Sequence, residues 1–190
     1  YAKKLDGFIY ISASHNPIGH NGIKFGTNDG GVLNGTENAK LVKEFTDRLN
    51  DEEGLEEAYK KARSCTTSEL QKVYQVSESS KYNALNAYKN FINETITGTE
   101  NKEYQEDFFG MIDNTIIENP IGVVCDFNGS SRNHCIDRDY FAEHNINFYS
   151  INSNEIVHEI IPEAENLIHV AAEMERLQKE GHKEVVLGYM

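Results

Sequence analysis

The sequence predicts an α/β fold, with layered, mainly parallel (mixed) sheets flanked by helices, and three observations carry that expectation. Short apolar runs rich in β-formers stand at residues 123–125, 148–151 and 185–187. Helical periodicity fills the gaps between them, over 137–144 and again after Pro162. Strand–helix–strand–helix–strand is the βαβ pattern, whose right-handed crossovers lay successive strands parallel.

Each element has its own local reason. Gly7-Phe8-Ile9-Tyr10-Ile11 is a continuous apolar run that suits a buried strand. Residues 12–22 hold Asn-Pro, Asn-Gly and two glycines, which cannot continue a strand. A second strand starts at 23–25, and Asn28-Asp29-Gly30-Gly31 turns it. Thr36 is expected to cap a helix with the apolar stripe Leu41, Val42, Phe45 and Leu49. Leu55, Ala58, Tyr59 and Ala62 mark a short helix that breaks at 64–67. Ser77-Glu78-Ser79-Ser80 reads as a crossing between domains, and a helix then runs from Lys81 along Leu85, Tyr88, Ile92 and Ile96 to Gly98. In the last third, Tyr140 and Phe141 ride on the helix at 137–144. Pro162 opens a helix with Leu167, Val170, Ala171, Met174 and Leu177 inward, and Gly181 closes it.

Composition narrows the class. The chain has 190 residues, 38% of them hydrophobic, enough to fill a core, and a formal charge of −13. That acidic balance argues against nucleic acid or an anionic membrane surface as a partner. No apolar run reaches the ~20 residues of a membrane span. Cys65, Cys125 and Cys135 are too few for a disulfide framework and lack zinc-knuckle spacing, so a reducing cytoplasm is the expected setting. Tyr1 stands first, and Lys183–Met190 reads as a strand without its following loop, so a longer polypeptide with further domains is expected.

The sharpest chemistry follows the first strand. Ser14, His15 and Asn16 place a hydroxyl, an imidazole and an amide in consecutive positions at a strand's carboxyl end, where open α/β sheets bind ligands. Lys24 follows ten positions after Ser14 and supplies a cation that can swing back over the loop. Ser, Asn, Pro and Gly are also ordinary turn residues, so the pattern by itself fits a plain turn as well as a site. His15 and His20 have four residues between them, but Pro17 and Gly19 forbid the helical face that would join them on a metal. Asn128-Gly129 reads as a structural turn, Arg132 as a solvated side chain, His158 as packing and Cys125 as a small core residue.

Ser12-Ala13-Ser14-His15-Asn16-Pro17 resembles the T-x-S-H-N-P active-site loop of the α-D-phosphohexomutases, the phosphoglucomutase/phosphomannomutase family, with Ser12 in place of the usual Thr. Asn21-Gly22-Ile23-Lys24-Phe25 is similar to the family's N-G-[IFY]-K segment, and Asp29-Gly30-Gly31 to its D-G-G turn. Residues 123–129 resemble the strand-to-loop segment opening the second domain, and Glu155-Ile156-Val157-His158 with Pro162-Glu163 the stretch leading into its P-x-P-E helix. Residues 51–120 show little of the family.

The resemblance implies part of domain 1, with the serine loop, over 1–76, and domain 2 over 77–190. It implies transfer of a phosphoryl group between the 1- and 6-positions of a hexose phosphate. Ser14 is carried as phosphoserine, and a hexose 1,6-bisphosphate serves as intermediate and activator. By the same resemblance His15 contacts the transferring oxygens or orients the loop. Lys24 holds phosphate or acts as general base, and Asn16 shapes the substrate loop. The implied Mg²⁺ is held through the phosphate of Ser14 and by an aspartate loop past Met190. Residues 1–190 alone are therefore expected to be inactive. The competing expectation is a non-catalytic phosphate- or sugar-binding module, or a relic, on the same scaffold.

Overall fold

The computed structural model describes residues 5–13, 16, 17, 19–159 and 163–190. The chain forms two compact units, residues 1–84 and 85–190.

In the first unit, β1 (Gly7–Ile11) pairs antiparallel with β2 (Ile23–Thr27), with Gly7 opposite Thr27 and Ile11 opposite Ile23. The expected burial of the first strand does not hold. Ile9 is 65% and Ile11 64% exposed, because β1 is paired by β2 and carries no covering layer among the described residues. Three helices follow: α1 (Gly35–Leu49), α2 (Glu52–Arg63) and α3 (Thr67–Thr97), the last continuing into the second unit. Asn34, not Thr36, caps α1, its carboxamide oxygen accepting the Thr36 and Glu37 amides at 3.0 Å each. Asp51 caps α2 through Gly54 N–H. Thr66 and Glu69 form a capping box at the start of α3: Glu69 accepts the Thr66 amide at 2.7 Å, and Thr66 Oγ1 accepts the Glu69 amide at 3.3 Å. The Thr66 amide, and the Thr66 hydroxyl donating to the same Glu69 oxygen at 2.8 Å, hold the Glu69 carboxyl below its usual value.

Residues 77–80 are helical, for α3 runs through them unbroken, and the division between the two units falls at 84/85 in the same helix. Neither Pro nor Gly interrupts the run, and Ser79 Oγ donates back to Val76 O at 3.0 Å, so its hydroxyl is satisfied inside the helix.

The second unit is the predicted α/β layer. A parallel three-stranded sheet runs in the order β4–β3–β5, with β3 (Gly122–Asp126) central and wholly buried between β4 (Asn147–Ile151) and β5 (Val185–Tyr189). α5 (Asp137–Glu143) connects β3 to β4, and α6 (Ile168–Lys179) connects β4 to β5. Before them lies α4 (Lys102–Glu118), in a stretch without an expected element, capped by Asn101. Val124, Val170, Leu177 and Val185 make the core, with Tyr149 and Met174 packed on it. Gly188 lets β5 approach α6, since a Cβ there would sit 2.2 Å from Val170 Cγ1.

Two inward assignments on the last helix fail. Leu167 lies in a 3-10 turn (Ala164–Leu167), which shifts the phase before α6 begins, and it stays exposed. Ala171 is one position round from the Val170–Met174–Leu177 stripe and faces out. The Pro162 opening lies outside the described residues, whereas Gly181, with φ of 109°, follows the end of α6 as expected.

No helix among the described residues is long and apolar enough to cross a membrane.

Candidate active site

The hairpin register decides where the serine loop sits. Gly7 opposite Thr27, Ile11 opposite Ile23 and the Ser12 N–H bond to Gly22 O at 2.9 Å all centre on Pro17. The described residues 12, 13, 16, 17 and 19–22 therefore lie at the tip of one hairpin. Gly22 is required at its base, because a Cβ there would sit 2.7 Å from Ser12 O. At the tip, Asn16 N–H donates to Ala13 O and His20 N–H to Pro17 O, both at 3.1 Å. Local turns thus shape the loop, and Asn16 is exposed.

Ser14 and His15 lie outside the described residues. Lys24 is exposed on β2 directly opposite Tyr10, its Nζ 5.8 Å from the Tyr10 ring centroid. At that range the ring attracts the ammonium through its quadrupole. Tyr10 is the residue that sequence reasoning missed. Its signal was the register, which pairs Tyr10 with Lys24 once Pro17 is the centre. No bond joins Asn16 to Lys24 among the described residues.

The neighbouring Asp29 turn is built as expected. Asp29 Oδ1 accepts the Thr27 hydroxyl at 2.5 Å and the Gly31 amide at 2.9 Å, and these bonds hold its carboxyl below the usual range.

In the second unit, the loop after β3 is a buried polar staple. Asp126 accepts Asn128 N–H at 2.9 Å and both its oxygens accept Asn152 Nδ2 at 3.1 Å, while His158 Nε2 lies 2.9 Å from Oδ2. Asn128, at φ of 40°, accepts the Val157 and His158 amides and donates to His158 O. Asn128 is thus structural, and His158 packs as expected, here with its imidazole stacked 4.4 Å from that of His169.

Arg132 departs from the solvated reading. Its Nε and Nη2 both donate to Asp137 Oδ1, at 3.0 and 2.7 Å, and its guanidinium lies 5.2 Å from the Tyr189 ring centroid. The expectation failed because Asp137 is buried five residues on and also accepts Tyr189 Oη–H at 2.8 Å. Cys125 is fully buried, and burial pushes its thiol up to about 11, so it is a core residue and not a thiolate. Burial also raises Tyr189.

No group of three or more His, Cys, Asp or Glu among the described residues can hold a metal ion. The described residues do not by themselves fit the implied Mg²⁺.

No curated protein and no solved structure matches the chain. Residues 1–52 match the family model described as phosphoglucomutase/phosphomannomutase, alpha/beta/alpha domain I. The matched segment contains the Ser12–Pro17 loop, β1, β2, the Asp29 turn and α1. Over this segment, 52 of the 190 residues, the chain is similar to the phosphoglucomutase/phosphomannomutase family.

Proposed function

We propose that the chain carries the phosphoryl-transfer loop of a phosphohexomutase acting on a hexose phosphate, with Ser14 as the covalent carrier. The observation supporting this most is the family match over residues 1–52, which spans Ser14, His15, Asn16 and Lys24 together. In the first step the phosphoserine O–P bond breaks as the free hydroxyl of the hexose monophosphate bonds to phosphorus. The hydroxyl proton passes to a base, and the bisphosphate forms. After the sugar turns over, Ser14 Oγ takes the other phosphoryl and the proton returns to the sugar oxygen. A covalent carrier divides one strained intramolecular transfer into two in-line steps.

Lys24, exposed beside the loop, is the cation or base on this reading, and His15 orients the transferring oxygens. Asn16, whose own backbone closes a turn at the tip, keeps the loop's shape. Mg²⁺ and the hexose 1,6-bisphosphate activator belong to the proposal, but no step above is routed through the cation. The assignment of 1–76 to domain 1 and 77–190 to domain 2, the cytoplasmic setting, the partnership with further domains and the inactivity of residues 1–190 alone are parts of the same reading.

The test is a coupled assay on the full-length protein with glucose 1-phosphate and mannose 1-phosphate. Formation of the 6-phosphates is expected; no turnover with any hexose 1-phosphate in the presence of Mg²⁺ and bisphosphate would overturn the reading.

A further inference from the structure

Near the carboxyl end of β4 stands an arginine of α5 with an unusual set of partners for so acidic a chain. Arg138 projects from α5, and no carboxylate among the described residues lies within ion-pair distance of it. Its partners are neutral oxygens. Nη1 donates to Ser150 Oγ at 2.8 Å, and Nη2 donates to Asn133 Oδ1 at 2.9 Å and Ser153 Oγ at 3.0 Å. The guanidinium lies over two neighbouring rings, 5.0 Å from the Phe127 centroid and 5.6 Å from that of Phe148. Nε–H has no bond among the described residues, and the Ser150 hydroxyl, which accepts Ser153 Oγ–H at 3.4 Å, keeps its own proton for a further acceptor.

Beside this group runs a groove of about 470 Å³ lined by Arg138, Ala142, Asn145, Ile146, Asn147 and Phe148. That volume is within the roughly 300–1,000 Å³ of small-molecule sites. A fixed planar guanidinium with adjoining hydroxyls is the chemistry that binds an oxyanion. Two carboxamides and an aromatic face in the adjoining groove suit the hydroxyls and C–H faces of a polyol. Apolar acids fit less well, since the Asn145 carboxamide would be left without a partner, whereas Asn147 Nδ2 already donates to Glu184 Oε1 at 3.3 Å.

We propose that Arg138, Ser150, Ser153 and this groove form a binding site for a small phosphorylated polyol, separate from the serine loop. The site requires nothing of Ser14 and stands independently of the mutase reading.

The test is an NMR titration of the ¹⁵N-labelled full chain with inorganic phosphate and, separately, glucose 6-phosphate, with sodium chloride at matched ionic strength as control. Saturable shifts at the Ser150, Ser153 and Asn145 amides are expected, with glucose 6-phosphate at least tenfold tighter than phosphate. Arg138→Ala should weaken binding at least tenfold. Where Arg138→Ala loses its fold, Ser153→Asp supplies a competing carboxylate and should weaken binding equally. Equal affinity for both probes would make this a free-phosphate site and overturn the polyol assignment. Unsaturable shifts, or binding untouched by Ser153→Asp and Arg138→Ala, would overturn the site itself. Shifts confined to residues 12–24 would also overturn it while leaving the serine-loop reading intact.

Discussion

His158 Nε2 lies 2.9 Å from Asp126 Oδ2, and both side chains are buried, at 6% and 0% exposure. This contact closes a loop of more than thirty residues onto the end of the central strand. Asp126 also serves the Asn128 amide and the Asn152 carboxamide, so removing it strands three polar groups at once. Asp126→Ala is expected to cost about 3–5 kcal/mol, the scale for breaking a buried pair from one side. Urea unfolding of the two proteins measures it; a loss under about 1 kcal/mol would show the network to be dispensable.

The close approach of β5 to α6 gives a second expectation. Gly188→Ala drives a methyl into Val170 and Met174 and is expected to cost about 1–3 kcal/mol by overpacking. Gly35→Ala, where a Cβ meets nothing within 4 Å, is the control and should change stability little. Equal midpoints for both variants would contradict the packing described here.

Alkaline pH should weaken the second unit. The Cys125 thiol is pushed up to about 11 by burial, above its ordinary value of 9.0. Between those values the unfolded chain has released the proton and the native chain has kept it. Stability therefore falls as pH rises through this window, by up to about 3 kcal/mol at 1.36 kcal/mol per unit. Tyr189, raised mainly by burial, adds to the same trend. Urea midpoints measured from pH 8 to 11 check the sign, and Cys125→Ala should flatten the slope. A thiol reagent at pH 8 should modify exposed Cys65 and leave Cys125 untouched until unfolding.

Lys24 is expected to matter for catalysis beyond its charge. Lys24→Ala in the full-length protein should lower kcat by about 10²–10⁴-fold, the usual scale for acid–base participation. Tyr10→Leu removes the ring against the ammonium and should have a much smaller effect. A Lys24→Ala protein with near-normal kcat would remove this residue from the proposed chemistry.

The parts of this fold legible in sequence are those where one face decides everything. Val170, Met174 and Leu177 lie on one side of a helix, and Val123, Val124 and Cys125 form an unbroken apolar strand, so β3, β5 and α6 follow from periodicity. Leu167 misled because a 3-10 turn resets the phase, which spacing alone does not reveal. Ser77–Ser80 misled because serine hydroxyls can satisfy themselves on the helix backbone as readily as they break it. The β1 run was apolar enough to read as buried, yet burial depends on a covering layer and not on the strand. At the site, the composition of the loop was legible, since Ser, His, Asn and Pro are local. The Tyr10–Lys24 pairing needed the hairpin register, and the Asp126–His158 and Arg132–Asp137 contacts needed the tertiary fold.

Phosphorylation of the Ser14 hydroxyl is open to a direct chemical test. Full-length protein is incubated with glucose 1,6-bisphosphate, and the modified residue is located by peptide mass spectrometry, beside a Ser14→Ala variant. The expected result is a single phosphoryl group on Ser14, absent from the variant, whose turnover is abolished. A phosphoryl group on another residue, or sustained turnover in Ser14→Ala, would contradict the account.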